Sequence, residues 1–128
     1  MKLIPTPHAE TITREAAGRD LGPLDEGRLF ALLVEAGHEH REIAEWYGGK
    51  PVAYVHWRIE LLNLCDLGTE WLDDGRLPLA LAGYIARLSE PNQQLMLNRW
   101  IRGDFRHERH AERHAASIAE DEQGLYGL

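Results

Sequence analysis

Apolar residues recur at intervals of three and four along most of the chain, the spacing that places them on one face of an α-helix. The first repeat begins near Leu24 and predicts a helix that Gly37 ends. Its apolar positions are Leu29, Leu32, Leu33 and Ala36. A short second helix around Ile43 and Ala44 is predicted to end at Gly48-Gly49.

Pro51 suits the first turn of a third helix, because proline lacks the N–H that this position leaves unpaired. Four residues of this helix, over residues 51–62, are spaced to form one buried stripe. They are Val52, Val55, Ile59 and Leu62. Two short helices joined by a glycine turn, the second with one face free, form a helix-turn-helix that can enter a major groove of DNA.

Four further helices are predicted after this segment. They run from Asp66 to the Asp74-Gly75 turn, over residues 79–88 after Pro78, over residues 91–103, and from Phe105 to about Ala119. The third carries Leu95, Leu97, Trp100 and Ile101 as its apolar residues, and the last is mostly polar and leads into an acidic tail.

No segment shows the alternation typical of strands, so the fold class is predicted to be all-α, a multi-helix bundle around the helix-turn-helix. Residues 1–22 lack a sustained period and predict a mobile arm or an extended strap. Residues 23–103 are expected to form one domain, followed by a polar helix and tail at 104–128.

Composition adds a constraint on partners. The chain has 128 residues, 44% of them apolar, with a net charge of −7 and a single cysteine, Cys65. It contains no run of about 20 apolar residues, and the lone cysteine excludes an internal disulfide, so a cytoplasmic location is expected. The charge is unfavourable for binding nucleic acid, but it is unevenly distributed. Residues 99–113 contain five arginines, whereas acidic residues dominate residues 19–47.

Several segments resemble the central domain of ParB-type (KorB-type) partition proteins. In order along the chain they are DLGPLDEGRL at 20–29, EIAE at 42–45, VHWRIELLNL at 55–64, DGRLP at 74–78 and PNQQ at 91–94. The resemblance covers about residues 20–103. It implies a stand-alone DNA-binding regulator of transcription or a partition accessory, encoded by a plasmid, phage or chromosome and associated with the nucleoid.

If the chain binds duplex DNA, side-chain chemistry and the charge distribution indicate which residues make the contacts, and a homodimer is expected to double the footprint. Candidates on the recognition helix are Lys50, Tyr54, His56, Trp57 and Arg58, and phosphates are expected at Lys50, Arg58, Arg99, Arg102, Arg106 and Arg109. The sequence differs from the family pattern in three respects. The nucleotide-binding and C-terminal dimerisation domains are missing, the turn has one extra glycine, and KPVAY at 50–54 replaces small polar and basic residues.

A second hypothesis is an acidic interaction module, an adaptor or inhibitor that kept the fold, lost base readout and binds a basic protein. Arg58 could then pair with a carboxylate on a neighbouring helix instead of a phosphate. Trp57, like Trp46 and Trp71, could cover the edge of a small core or anchor a partner.

Three histidines share one face of the last predicted helix: His107, His110 and His114. They are weak candidates for metal ligands, because neighbouring arginines would repel a cation. The main alternative is a solvated helix, and another is a phosphate-facing strip that binds more strongly below about pH 6.5. No nucleophile, paired-carboxylate or phosphate-loop pattern is present, so neither an enzyme nor a cofactor is expected.

Overall fold

The computed structural model describes the backbone of residues 2–126 and the side chains of residues 2–124. Within that range the regular structure consists of eight α-helices and one 3-10 turn, without a strand, which confirms the predicted all-α class. The helices are α1 (Thr6–Ala17), α2 (Pro23–Glu35), α3 (His40–Trp46), α4 (Val52–Glu60), α5 (Asp66–Asp73), α6 (Leu79–Ile85), α7 (Glu90–Ile101) and α8 (Glu108–Tyr126), and the 3-10 turn is Leu61–Asn63. No helix in the described part combines the length and apolarity needed to cross a membrane.

The chain divides into two compact units, Met1–Leu62 (unit 1) and Asn63–Leu128 (unit 2). Unit 1 contains the helix-turn-helix, formed by α3 and α4. The division falls inside residues 23–103, which the sequence predicted to form one domain.

The first segment of unit 1 is a helix, so the prediction of an arm or strap over residues 1–22 was wrong for residues 6–17. The buried face of α1 consists of Ala9, Thr13 and Ala16, and the helix packs against α3. The Thr13 hydroxyl donates to the Ala9 carbonyl at 2.7 Å, which satisfies this buried polar group. Small and weakly apolar residues form this face, so the segment lacked a hydrophobic period strong enough to detect.

Unit 1 has its own core, in which α2, α3 and α4 meet. Phe30 and Leu33 of α2, Ile43 of α3 and Val55 of α4 are completely buried. The ring of Tyr47 meets Phe30 edge to face at 4.8 Å between centroids. These apolar contacts pack the three helices against one another independently of their polar interactions.

In unit 2, α8 packs against both α6 and α7. Its core contains Leu81, Ile85, Met96, Leu97, Ala111 and Ala115. Leu95 and Ile101, two of the apolar residues from which α7 was predicted, are 47% and 51% exposed. The polar residue Gln93 is buried instead, so α7 is rotated to place Gln93 inside and Leu95 and Ile101 toward solvent. The Gln93 amide donates to the carbonyls of Asn63 and Leu88 and accepts the N–H of Cys65.

The last helix begins at Glu108 rather than Phe105 and continues through the segment predicted to be an acidic tail. Glu122 explains why the acidic segment is ordered. Its carboxylate accepts hydrogen bonds from the backbone and hydroxyl of Ser89 and from the amide of Asn92, at the start of α7. The bond from Asn92, followed by those from Ser89, lowers the pKa of Glu122. The acidic residue therefore acts as a helix cap supplied from a distant part of the sequence.

Candidate functional site

The predicted helix–glycine turn–helix is present in unit 1. At the start of α3 a capping box joins Glu39 and Glu42, each side chain accepting the other's backbone N–H. After α3, Gly48 and Gly49 adopt φ angles of 73° and 70°, which side chains other than glycine rarely tolerate. The Lys50 N–H then donates to the Ala44 carbonyl at 3.0 Å. These bonds order the turn that leads into α4.

Gly27 lets α2 and α4 approach until their backbones touch. A Cβ atom built on Gly27 would lie 2.3 Å from the carbonyl oxygen of Arg58. Real Cβ contacts are essentially never that short. Only glycine at this position allows the observed helix crossing, so α4 is held against α2 over this part of its length.

The preceding residue, Glu26, provides a second attachment. It is 6% exposed, and its carboxylate accepts hydrogen bonds from the hydroxyls of Tyr47 and Tyr54, each at 2.7 Å. It also accepts the Arg58 Nε–H at 2.9 Å. Charge-assisted bonds of this kind are stronger than neutral ones, and they satisfy a carboxylate that would otherwise be costly to bury.

The surroundings of Glu26 also raise the pKa of both tyrosines. For Tyr47 and Tyr54 the largest cause is burial, followed by the hydrogen bond to Glu26, which holds the phenolic proton. Both hydroxyls therefore stay protonated and remain donors throughout the physiological range of pH.

The inward side of α4 differs from the predicted stripe. Val55 is completely buried and Ile59 partly buried, as predicted, but Val52 is 48% and Leu62 37% exposed. Tyr54 and Arg58 face inward instead, because Glu26 and the ring of Tyr47 receive them. Of the two roles considered for Arg58, the structure shows pairing with a carboxylate on a neighbouring helix.

The opposite side of α4 is open to solvent. We call Val52, Ala53, His56 and Trp57, all exposed, the outward face. His56 lies 3.6 Å from Glu60 and its ring is near that of His40. Trp57 is 54% exposed, so about half of its side chain is accessible to a partner. Trp46 and Trp71 are buried, at 7% and 8% exposure, as expected for a tryptophan that covers a small core.

The remaining arginines predicted to contact DNA belong to unit 2. Arg99 and Arg102 both approach Asp104, at 3.5 Å and 2.7 Å, and the Arg99 guanidinium also lies 4.8 Å from the centre of the Phe105 ring. Arg106 and Arg109 are exposed and have no carboxylate within 4 Å among the described residues. Arg99 therefore has a packing role, whereas Arg106 and Arg109 present their charges to solvent.

The three histidines make local contacts rather than converging on one point. His107 Nδ1 accepts the N–H of His110 at the start of α8, and His110 Nδ1 accepts the N–H of Arg106. His114 Nε2 lies 2.7 Å from Nη1 of Arg99. In the part of the chain that the structure describes, no three histidine, cysteine or acidic side chains are placed to hold a metal ion.

His114 predicts a loss of stability in acid. Burial, followed by repulsion from Arg99 and His110, lowers the pKa of His114 below its usual 6.5. A lowered pKa means that the folded state prefers the neutral ring, so this contribution is present above about pH 6.5 and is lost as the pH falls through the folded-state pKa. His114→Gln, which keeps an acceptor for Arg99, should make unit 2 unfolding less dependent on pH between 7 and 5. Urea unfolding across this range measures the effect, and equal slopes for the two proteins would contradict it.

Sequence reasoning missed two residues of this site, Glu26 and Tyr47. The one local signal was the position of Glu26 beside a glycine within the predicted helix. No family model matches this sequence, and no curated protein matches it.

Proposed function

We propose that this chain is a DNA-binding protein of the ParB type that places α4 in the major groove of duplex DNA. It would act as a regulator or partition accessory of a plasmid, phage or chromosome. One observation carries the proposal. The helix after the glycine turn is fixed on α2 by Gly27 and Glu26, while its outward face stays open to solvent.

The outward face offers chemistry suited to base edges. Lys50, just before α4, is exposed and can donate to the O6 and N7 acceptors of guanine. Val52 and Ala53 can contact the methyl group of thymine, and His56 carries ring nitrogens that can donate or accept. Tyr54 and Arg58, engaged by Glu26, would instead hold the helix in position.

Affinity would come mainly from phosphates. Arg106 and Arg109 of unit 2 are exposed, and Arg102 is exposed although paired with Asp104. A chain of net charge −7 gains little from long-range attraction, so binding should be weak for a monomer and sensitive to salt. A homodimer would increase affinity by placing two modules on neighbouring sites.

A charge introduced on the outward face tests the proposal. Wild-type protein should bind duplex DNA at about 50 mM salt and lose affinity steeply as salt rises. Ala53→Glu should weaken binding at least tenfold, roughly 1.4 kcal/mol or more, because its carboxylate would face bases and phosphates. Fluorescence anisotropy with a labelled random duplex measures both effects.

Thr11→Glu is the matched control, since Thr11 is an exposed residue of α1 and the change in charge is the same. Equal binding by the two variants would show that α4 is not the interface. Absence of wild-type binding at about 50 mM salt, where phosphate contacts are least screened, would contradict DNA binding altogether.

A second function is favoured by the apolar character of the same face. Val52 and Trp57 are large apolar residues of the outward face, 48% and 54% exposed. An interaction module with a basic protein partner would use Trp57 as an anchor and the acidic residues of α2 and α3 for attraction. Binding to a lysine-rich polypeptide, weakened by Trp57→Ala, without binding to duplex DNA, would support this function.

A further inference from the structure

A cleft of about 340 Å³ opens in unit 1 beside the helix-turn-helix. The loop after α1, the start of α2 and one flank of α4 line it. Its charged and aromatic lining includes Arg19, Asp20, Glu26, Lys50, Tyr54 and Arg58. Three of these side chains are cations and two are carboxylates, so the cleft has a positive balance in a chain whose net charge is −7.

Two of the cations share one aromatic ring. Lys50 Nζ lies 5.1 Å and the Arg58 guanidinium 4.3 Å from the centre of the Tyr54 ring. The ring attracts each cation, but the two positive charges repel each other. An anion placed between them would remove this repulsion.

The carboxylates present do not fully neutralise this charge. Glu26 already accepts hydrogen bonds from Tyr47, Tyr54 and Arg58. The bond to Arg58 uses its Nε–H, one of the five N–H donors of a guanidinium. Lys50 and Arg19 are exposed, and among the described residues neither has a carboxylate within 4 Å.

We propose that this cleft binds a phosphate group, with Arg19 and Lys50 as its charged contacts and Arg58 as a positioned donor. Arginine and lysine are the side chains that proteins use most for phosphate. Tyr54 and Arg58 each follow an outward-face residue, Ala53 and Trp57, so they lie about 100° further around α4. The cleft therefore borders the outward face, where the backbone of a DNA groove would run.

The phosphate has two possible sources, a DNA backbone or a small phosphorylated compound. The first source depends on the proposed function and the second does not. Arg19 extends the site beyond the helix-turn-helix, to the loop that connects α1 with α2. This makes the loop part of the binding surface rather than a passive connection.

The experiment compares three single variants of the full chain: Arg19→Gln, Lys50→Gln and the control Arg14→Gln. Arg14 is an exposed arginine of α1 that pairs with Glu10 at 2.8 Å and does not line the cleft. Arg58 is left unchanged because its loss would disturb Glu26. Titration with inorganic phosphate should saturably shift the backbone amide NMR signals of residues 19–21, Lys50 and residues 52–54. The two cleft variants should weaken this binding at least fivefold, and Arg14→Gln should not.

Duplex DNA is the second arm. If the phosphate is that of DNA, each cleft variant should reduce the slope of log affinity against log salt by about 1 relative to Arg14→Gln. Inorganic phosphate binding without duplex binding would support the cleft, assign it to a small phosphorylated compound and contradict the proposed function. If both cleft variants match Arg14→Gln in both titrations, the cleft is not a phosphate site, even where the wild-type protein binds duplex DNA.

Discussion

Glu26→Ala should destabilise unit 1 by about 3–5 kcal/mol, because it leaves the guanidinium of Arg58 without its ion-pair partner in a mostly buried position. The side chains of Arg58 and Glu26 are only 16% and 9% exposed. The hydroxyls of Tyr47 and Tyr54 would lose their acceptor as well. Urea unfolding, with hydrogen exchange of the amides in α2 and α4, would measure the loss in unit 1 specifically.

Asp25→Ala is the matched control, in the adjacent position of the same helix. Asp25 pairs with Arg28 at 2.9 Å, but both side chains are at least 60% exposed, so this change should cost less than about 1 kcal/mol. Replacing both buried partners, in Glu26→Leu with Arg58→Met, should recover much of the lost stability, because no charge is then left unpaired. A cost for Glu26→Ala no larger than that for Asp25→Ala would contradict the role assigned to this network.

Gly27→Ala is expected to be comparably damaging, at about 3 kcal/mol or more, although it adds only a methyl group. That methyl carbon would lie 2.3 Å from the Arg58 carbonyl oxygen, which is backbone and cannot rotate away. The gain of about 1 kcal/mol from replacing glycine by alanine in a helix is too small to offset this clash. Thermal and urea unfolding would measure the loss, and chemical shifts of α4 would report the displacement of the helix.

Gly83→Ala provides the comparison. Gly83 lies within α6, and nothing lies within 4 Å of a Cβ atom built there. The same substitution should therefore stabilise unit 2 by up to about 1 kcal/mol, through helix propensity alone. Equal effects at the two glycines, in either direction, would show that the close crossing of α2 and α4 does not limit the residue at position 27.

The sequence predicted the helices of the helix-turn-helix well, because glycines and prolines mark their ends. Gly37, Gly48-Gly49 and Pro51 lie at or next to the ends of α2, α3 and α4. The rotation of α4 was predicted less well. A periodicity argument assigns apolar residues to the interior, whereas here Tyr54 and Arg58 take positions there through hydrogen bonds to Glu26.

The sequence predicted only part of the candidate site, because periodicity does not reveal partners that are distant along the chain. Lys50, His56 and Trp57 lie on the accessible side of the segment, as a binding role requires. The inward direction of Arg58 depends on a partner 32 residues earlier in the chain, which local patterns do not reveal. Likewise, the helical end of α8 depends on the bonds of Glu122 to Ser89 and Asn92, and an acidic composition alone suggested a tail.

The double glycine between α3 and α4 does not by itself determine where α4 lies, because α4 contacts α2 at two points. The position of α4 is then determined by Gly27 and Glu26, and the turn serves as a connector whose length can change. Such a connector can gain or lose a residue at little entropic cost. A change in the length of this turn would therefore leave α4 in place on α2, although positions 48 and 49 still favour glycine because of their positive φ angles. Positions 26 and 27 are more restricted, because both residues contact α4 directly.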